Sequence, residues 1–189
     1  MVTRTLSGFA ACRAGGVGLA LALAAAAAPS QAATQGIFGA TSSGSVTITA
    51  SVPARARISG LTDVSFLSQD PAVAATSTQN VCVWSNTATR TYTITASGSG
   101  TANAFTIANG ALTTPYSVQW SGTTSQTTGT ALVAGTASSS FASAATQQAC
   151  TSGPTASASL IVGISTADLQ AMQALTTYSG TLTLLVTPQ

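Results

Sequence analysis

The sequence predicts an all-β domain of the sandwich or barrel class. After residue 32 it is dominated by Thr, Ser, Ala, Val and Gly, with β-branched residues in alternation and turn residues at short intervals. A parallel sheet needs repeated helical crossovers, and only one short helical stretch is visible, which favours antiparallel strands. The candidate strands are residues 46–52, 56–61, 79–84, 90–96, 104–108, 116–120, 131–134, 156–164 and 180–187.

Residues 1–32 have the three parts of a secretory signal peptide. Arg4 and Arg13 precede an apolar run rich in Ala and Leu, and the small residues Ser30 and Ala32 suit a signal peptidase. Cleavage is expected after Ala32, with Ala33 as the alternative. Because the run is shorter than the roughly 20 residues that span a bilayer, we expect export without a membrane span.

The charged residues exclude two classes of function. Residues 33–189 carry a balanced set of arginines and aspartates: Arg55, Arg57, Arg90, Asp63, Asp70 and Asp168. A nucleic-acid partner is not expected, because binding needs clustered Lys and Arg and the chain has no Lys. It also has no His and no Glu, so a Ser or Thr nucleophile lacks a base and no enzyme is expected. Asp63 and Asp70 are interpreted as turn residues rather than as a glycosidase pair.

Two cysteines follow the predicted signal peptide. Cys82 and Cys150 are expected to form a disulfide in an oxidising compartment, whereas Cys12 leaves with the signal. A bond that closes a loop of this length contributes about 4 kcal/mol in the loop-entropy model. Two cysteines without a histidine cannot fill a tetrahedral zinc site, so neither a metal nor any other cofactor is predicted.

Three connecting features are predicted between the strands. Thr166 is expected to cap a helix over residues 167–174. The pair Asn109-Gly110 predicts a hairpin with a type I′ turn. Residues 122–146 are nearly all Thr, Ser, Ala, Gly and Gln, which suggests a poorly patterned hairpin, with low-complexity disorder as the other interpretation.

The two ends of the mature sequence have the clearest alternation of apolar and polar residues. One face of the N-terminal segment carries Val46, Ile48, Ala50 and Val52. One face of the C-terminal strand carries Tyr178, Gly180, Leu182, Leu184 and Val186. Alternation alone is what an ordinary half-buried strand shows, so it does not distinguish these segments from other strands.

A family resemblance gives these two segments a role. The stretches that carry it are Cys82-Val83-Trp84-Ser85-Asn86, residues 90–100, Phe105-Thr106-Ile107, Leu112, residues 115–120, residues 167–170 and the ending from Tyr178 to Pro188. Their pattern of apolar, Tyr and Gly positions resembles the spore coat protein U-like and archaic chaperone-usher pilin families. The resemblance covers nearly all of the sequence after the signal peptide.

The resemblance implies an immunoglobulin-like β-sandwich that lacks one strand and is completed by donor-strand exchange. Residues 33–54 would be the donor segment and residues 55–189 the pilin-like domain. The four apolar residues Val46, Ile48, Ala50 and Val52 would plug the groove of a like subunit in a homopolymer, unless Ile37 and Phe38 supply an earlier plug. A periplasmic chaperone and an outer-membrane usher would assist assembly of a cell-surface pilus that supports adhesion or biofilm formation.

One feature departs from the family pattern, and one other function is considered. Archaic pilins often carry a cysteine shortly after the donor strand, whereas residues 53–58 here read Pro-Ala-Arg-Ala-Arg-Ile, so the disulfide topology is left open. The other function is that of a secreted single-domain adhesin or carbohydrate-binding module, which would use exposed aromatic residues. Its candidates are Trp84, Trp120, Tyr92 and Tyr116, which we instead expect near the core.

Overall fold

A computed structural model describes residues 32–189, so the predicted signal peptide lies outside the described residues apart from Ala32. The chain divides into an N-terminal segment, described from residue 32 to residue 50, and a compact domain over residues 51–189. Within the N-terminal segment, Thr34 and Ser45 exchange two backbone hydrogen bonds of 2.9 Å. Ile37 and Phe38 lie between them and are exposed.

The domain is all-β and sandwich-like, which confirms the predicted fold class. Its elements are β1 (Ala56–Ser59), β2 (Ala75–Ser85), β3 (Thr91–Gly98), β4 (Thr106–Asn109), β5 (Leu112–Pro115), β6 (Ser117–Ser121), β7 (Thr130–Ala131), β8 (Phe141–Ala142), β9 (Ala158–Ile164), α1 (Thr166–Ala171) and β10 (Leu182–Pro188). One sheet has the order β1-β2-β9-β6-β7 and a second has the order β10-β3-β8. A separate hairpin pairs β4 with β5, and every pairing is antiparallel.

The core lies between the sheets because apolar residues alternate along the strands. In β3, the residues Tyr92, Ile94 and Ala96 point inward and are fully buried. Trp120 of β6 meets Tyr92 edge to face, with ring centroids 6.4 Å apart, and its Nε1–H donates to the Tyr92 hydroxyl at 3.2 Å. Burial raises the pKa of Tyr92, and the Trp120 hydrogen bond lowers it to a smaller extent.

The predicted disulfide is present in the structure. Cys82 of β2 is bonded to Cys150, with the two Cα atoms 6.4 Å apart, and Trp84 packs against the pair. Nearby, the Ser157 hydroxyl accepts from the Val83 N–H and donates to the Val83 carbonyl, both at 2.9 Å. β1 pairs with β2 on one side of Val83, and on the other side the β2–β9 pairing stops at Val81, so the Ser157 hydroxyl satisfies the backbone groups that β9 does not reach.

The segment 122–146 is not the predicted hairpin. Its two short strands go to different sheets, since β7 pairs with β6 and β8 pairs with β3. Leu132 is buried in the core, which anchors the segment between the sheets. β7 thus pairs with the strand just before it, whereas the placement of β8 depends on β3, which is about 50 residues away in the sequence.

Two local predictions need correction. The helix begins at Thr166 and ends at Ala171, and its N-cap is Ser165, whose hydroxyl accepts from the Asp168 N–H. The hairpin at Asn109-Gly110 is confirmed, but Asn109 pairs with Leu112, so the central residues are Gly110 and Ala111. Of these only Gly110 has positive φ, which is the pattern of a type II′ turn rather than type I′.

Candidate functional site

An apolar groove opens on one side of the domain, between the chain that follows β1 and the first half of β10. Its volume is about 760 Å³. The residues that line it are Leu61, Thr62, Asp63, Val64, Ser65, Phe66, Gln79, Ile107, Tyr116, Leu160, Val162, Ile164, Gly180, Thr181, Leu182 and Leu184. Most of them are hydrophobic, and the deepest, Leu160, Val162 and Ile164, are buried residues of the core.

The floor of the groove is one face of β9. Leu160, Val162 and Ile164 are spaced two residues apart and therefore point to the same side of the strand. Leu182 and Leu184 of β10 form one wall with the same spacing, and they are half-buried against the core. Side chains entering at this period of two residues, about 6.6 Å, would meet matching positions on both surfaces.

A free strand edge borders the groove. β10 pairs with β3 through seven residue pairs, from Leu182 with Gly98 to Pro188 with Tyr92. The order β10-β3-β8 places β10 at the edge of its sheet, and within residues 32–189 no strand pairs with its other side. β1 is likewise the edge of the larger sheet. β1 lies close to β10 without pairing with it, so the backbone groups that an added strand could reach are those of β10 beside the groove.

Gly180 is required at the start of this wall. A Cβ atom at this position would lie 2.8 Å from the Thr106 carbonyl oxygen, because the chain before β10 passes close to β4. Ser179 and Ala108 exchange backbone hydrogen bonds there, at 2.8 and 2.9 Å. Glycine therefore permits the close approach that holds the β4–β5 hairpin at the end of the groove.

The opposite wall is held by a side chain rather than by strand pairing. The Gln79 carboxamide accepts from the Thr62 N–H at 2.8 Å and donates to the Thr62 carbonyl at 3.1 Å. The amide therefore satisfies both backbone groups of Thr62, as a neighbouring strand would. Because the Gln79 carboxamide lies between β2 and residues 61–66, it holds this segment away from β2 and keeps the groove wide.

Replacing Gln79 tests how much its two bonds to Thr62, called here the Gln79 clamp, contribute to stability. Gln79→Met keeps the length of the side chain but removes both bonds, so we expect the free energy of unfolding to fall by about 1 kcal/mol and the Thr62 amide to exchange faster with solvent. Hydrogen exchange followed by NMR measures both effects. Gln69→Met is the control, because the Gln69 amide bonds only to Leu67 within its own loop. Unchanged exchange at Thr62 would contradict the clamp.

The predicted C-terminal residues divide between the groove and the core. Gly180, Leu182 and Leu184 line the groove, whereas Val186 packs against the hydrophobic core. Tyr178 lies outside the groove and its hydroxyl accepts from the Gln173 N–H at 3.1 Å. The sequence thus identified one wall, but it did not identify the floor or the wall at residues 61–66. The alternation of Leu160, Val162 and Ile164 was the available signal for the floor.

The predicted donor residues do not belong to a strand of the described chain. Residues 46–52 lie outside every strand, and Val46, Ile48 and Val52 have exposed fractions of 71%, 88% and 79%. Ala50 is exposed as well. Four apolar positions in alternation are thus left in contact with water, and their role as plugs for a like subunit stays a prediction.

The aromatic residues considered for carbohydrate binding are mostly internal. Trp120 and Tyr92 are fully buried, Tyr116 is buried at the groove and Trp84 is half-buried beside the disulfide. Tyr116 stacks on Phe105 with ring centroids 5.7 Å apart, and burial raises its pKa. Stacking on sugars needs exposed ring faces, and these side chains contribute their faces to packing instead.

The acidic residues have local structural contacts. The Asp70 carboxylate accepts from the Ala72 N–H at 2.9 Å, which places it in the predicted turn, whereas Asp63 lies on the groove wall. Among residues 32–189, no three His, Cys, Asp or Glu side chains are grouped so that they could hold a metal ion. The same part of the chain contains no helix long and apolar enough to cross a membrane.

Comparison with known proteins adds no family assignment. No protein-family model matches the chain, and no curated protein matches it significantly. The class that the structure itself defines is an all-β, disulfide-bonded, sandwich-like domain with an apolar groove beside a free strand edge. The resemblance to pilins is carried by the sequence motifs alone.

Proposed function

We propose that this chain is a structural subunit of a surface pilus or fimbria, which assembles through donor-strand complementation. One observation carries the proposal: an apolar groove lies beside the free edge of β10, and the same chain has an exposed segment with apolar residues in alternation. A groove with a free edge accepts a strand through main-chain hydrogen bonds and side-chain pockets. Strand addition between pilins is one of the known examples of this mode of recognition.

The dimensions of the segment support this pairing between copies. Residues 46–52 form a segment of the same length as β10, which has seven residues. Val46, Ile48, Ala50 and Val52 repeat every second residue, as do Leu182 and Leu184 in the wall. Full burial of each large apolar side chain contributes about 1.5–3 kcal/mol, so Val46, Ile48 and Val52 together would contribute substantially to the affinity.

The proposal includes the assembly route and the location. A free subunit with an open groove and an unpaired edge is prone to aggregation, so a periplasmic chaperone is needed to cover the groove. An outer-membrane usher would then exchange the chaperone for the next subunit's segment, and the pilus would form at the cell surface, where it supports adhesion or biofilm formation. The role is structural rather than catalytic.

Deleting residues 33–52 after the signal peptide tests the proposal. The full chain is expected to form ladders on mildly denaturing gels, because strand exchange closes each groove. The deletion variant is expected to form none and to be stabilised by a synthetic peptide covering residues 44–54, as measured by a rise in Tm. A peptide with Val46, Ile48 and Val52 replaced by Ser is the matched control. A full chain that folds alone and never forms ladders would contradict the proposal.

A further inference from the structure

Five of the six charged residues of the domain lie at its two ends, and the sixth, Asp63, lies on the groove wall. Arg57 pairs with Trp84 in the β1–β2 register, and Arg55 accepts a backbone bond from Asn86, just after β2 ends. Arg90 directly precedes β3 and therefore lies at the same end. We call these three residues the arginine end. All three are exposed.

Aspartates mark the other end. Asp70 lies shortly before β2 begins at Ala75, and Asp168 lies on α1 shortly after β9 ends at Ile164. Ala75 and Ile164 are paired, so both aspartates belong to one end, which we call the aspartate end. β2 has eleven residues and spans about 36 Å, several times the Debye length of about 8 Å. The two ends therefore do not neutralise each other within one copy.

Each end coincides with one partner of the proposed strand exchange. The N-terminal segment joins the domain at the arginine end, where the Asn86 side chain bonds to Pro53 and Arg55. The Asn86 side chain donates to the Pro53 carbonyl at 2.9 Å and accepts from the Arg55 N–H at 2.6 Å. The first half of β10 belongs to the aspartate end, because Leu182 pairs with Gly98 at the end of β3 and lines the groove together with Ile164.

We propose that successive copies of this chain dock through these ends, with Arg55 and Arg57 of one copy against Asp70 and Asp168 of the next. The inference rests on the proposed donor-strand exchange and adds the polarity of the contact. A segment 46–52 that runs antiparallel to β10 brings residue 52 to the start of β10 and the arginines to the aspartate end. The parallel orientation would place them near Arg90 of the acceptor, where like charges repel.

Salt dependence tests the proposal on the full chain. Polymer growth is measured by light scattering at about 50 mM and about 500 mM NaCl, where screening differs strongly. The unaltered chain is expected to grow about tenfold more slowly at high salt. Asp70→Asn/Asp168→Asn should be slow at both salt concentrations. Asparagine can still accept the hydrogen bonds that both carboxylates receive, so folding should be preserved.

Matched variants separate a specific contact from net charge. Thr127→Lys/Thr128→Lys changes the net charge by the same amount in the exposed loop between β6 and β7, away from the aspartate end, and should not grow more slowly than the unaltered chain. Arg55→Glu/Arg57→Glu and Asp70→Arg/Asp168→Arg should each be slow, and the variant that combines them should recover. Growth of the unaltered chain that is independent of salt, or no recovery in the combined variant, would overturn the charge contact and leave strand exchange standing. Failure of the unaltered chain to polymerise at any salt concentration would instead overturn both.

Discussion

Ile48→Asp is expected to abolish detergent-resistant polymers while leaving a chaperone-bound monomer. Ile48 has an exposed fraction of 88% and makes no strand pairing, so the substitution should cost the monomer little. In the polymer the same carboxylate would be desolvated in a groove lined by Leu160, Val162 and Leu184, which costs several kcal/mol without a partner. Gel ladders after mild heating, together with recovery of the chaperone complex, measure the two effects.

The control for this substitution is a charge on the other face of the same segment. Thr47→Lys and Thr49→Lys point away from the groove because successive residues of an extended chain face opposite sides, so both should still polymerise. If residues 46–52 instead paired inside their own domain, Ile48→Asp would destabilise the monomer and chaperone-bound material would disappear as well. Polymers that survive Ile48→Asp would favour Ile37 and Phe38 as the plug.

Removing the disulfide is expected to lower the free energy of unfolding by about 4 kcal/mol in the loop-entropy model. Cys82→Ala/Cys150→Ala releases a constraint between residues 68 positions apart and unpacks Trp84 from the pair. Urea unfolding in the monomeric Ile48→Asp background measures the loss. Cys12→Ala is the control, because that residue lies in the predicted signal peptide. Equal midpoints for both variants would contradict a stabilising bond.

The bond itself is checked by mass spectrometry of the exported chain. The intact mass should lie below that of the reduced chain by the mass of the hydrogens lost on oxidation. Thiols at Cys82 and Cys150 that react with an alkylating reagent without prior reduction would show that the bond does not form on export.

The sequence by itself determined the fold class, the disulfide and the strands with sustained alternation. β2, β3, β6, β9 and β10 were all predicted, because each is long enough for its period of two residues to be visible. The disulfide was predicted because only two cysteines follow the predicted signal peptide and export leads to an oxidising compartment. The sequence also separated the N-terminal segment with Val46 and Ile48 from the rest, and the family resemblance implied that this segment pairs with another subunit; residues 46–52 form no strand in the described chain.

Only the tertiary structure decided how the short strands are used and where the groove lies. β7 and β8 have two residues each, too few for a period; β7 pairs with the preceding strand β6, whereas β8 joins the other sheet through β3, a partner distant in sequence. The wall at residues 61–66 depends on the Gln79 amide, which replaces a strand partner and has no sequence signature. The separation of arginines from aspartates also arises only on folding, because antiparallel pairing brings Ala75 beside Ile164 and so gathers at one end charges that lie far apart in the chain.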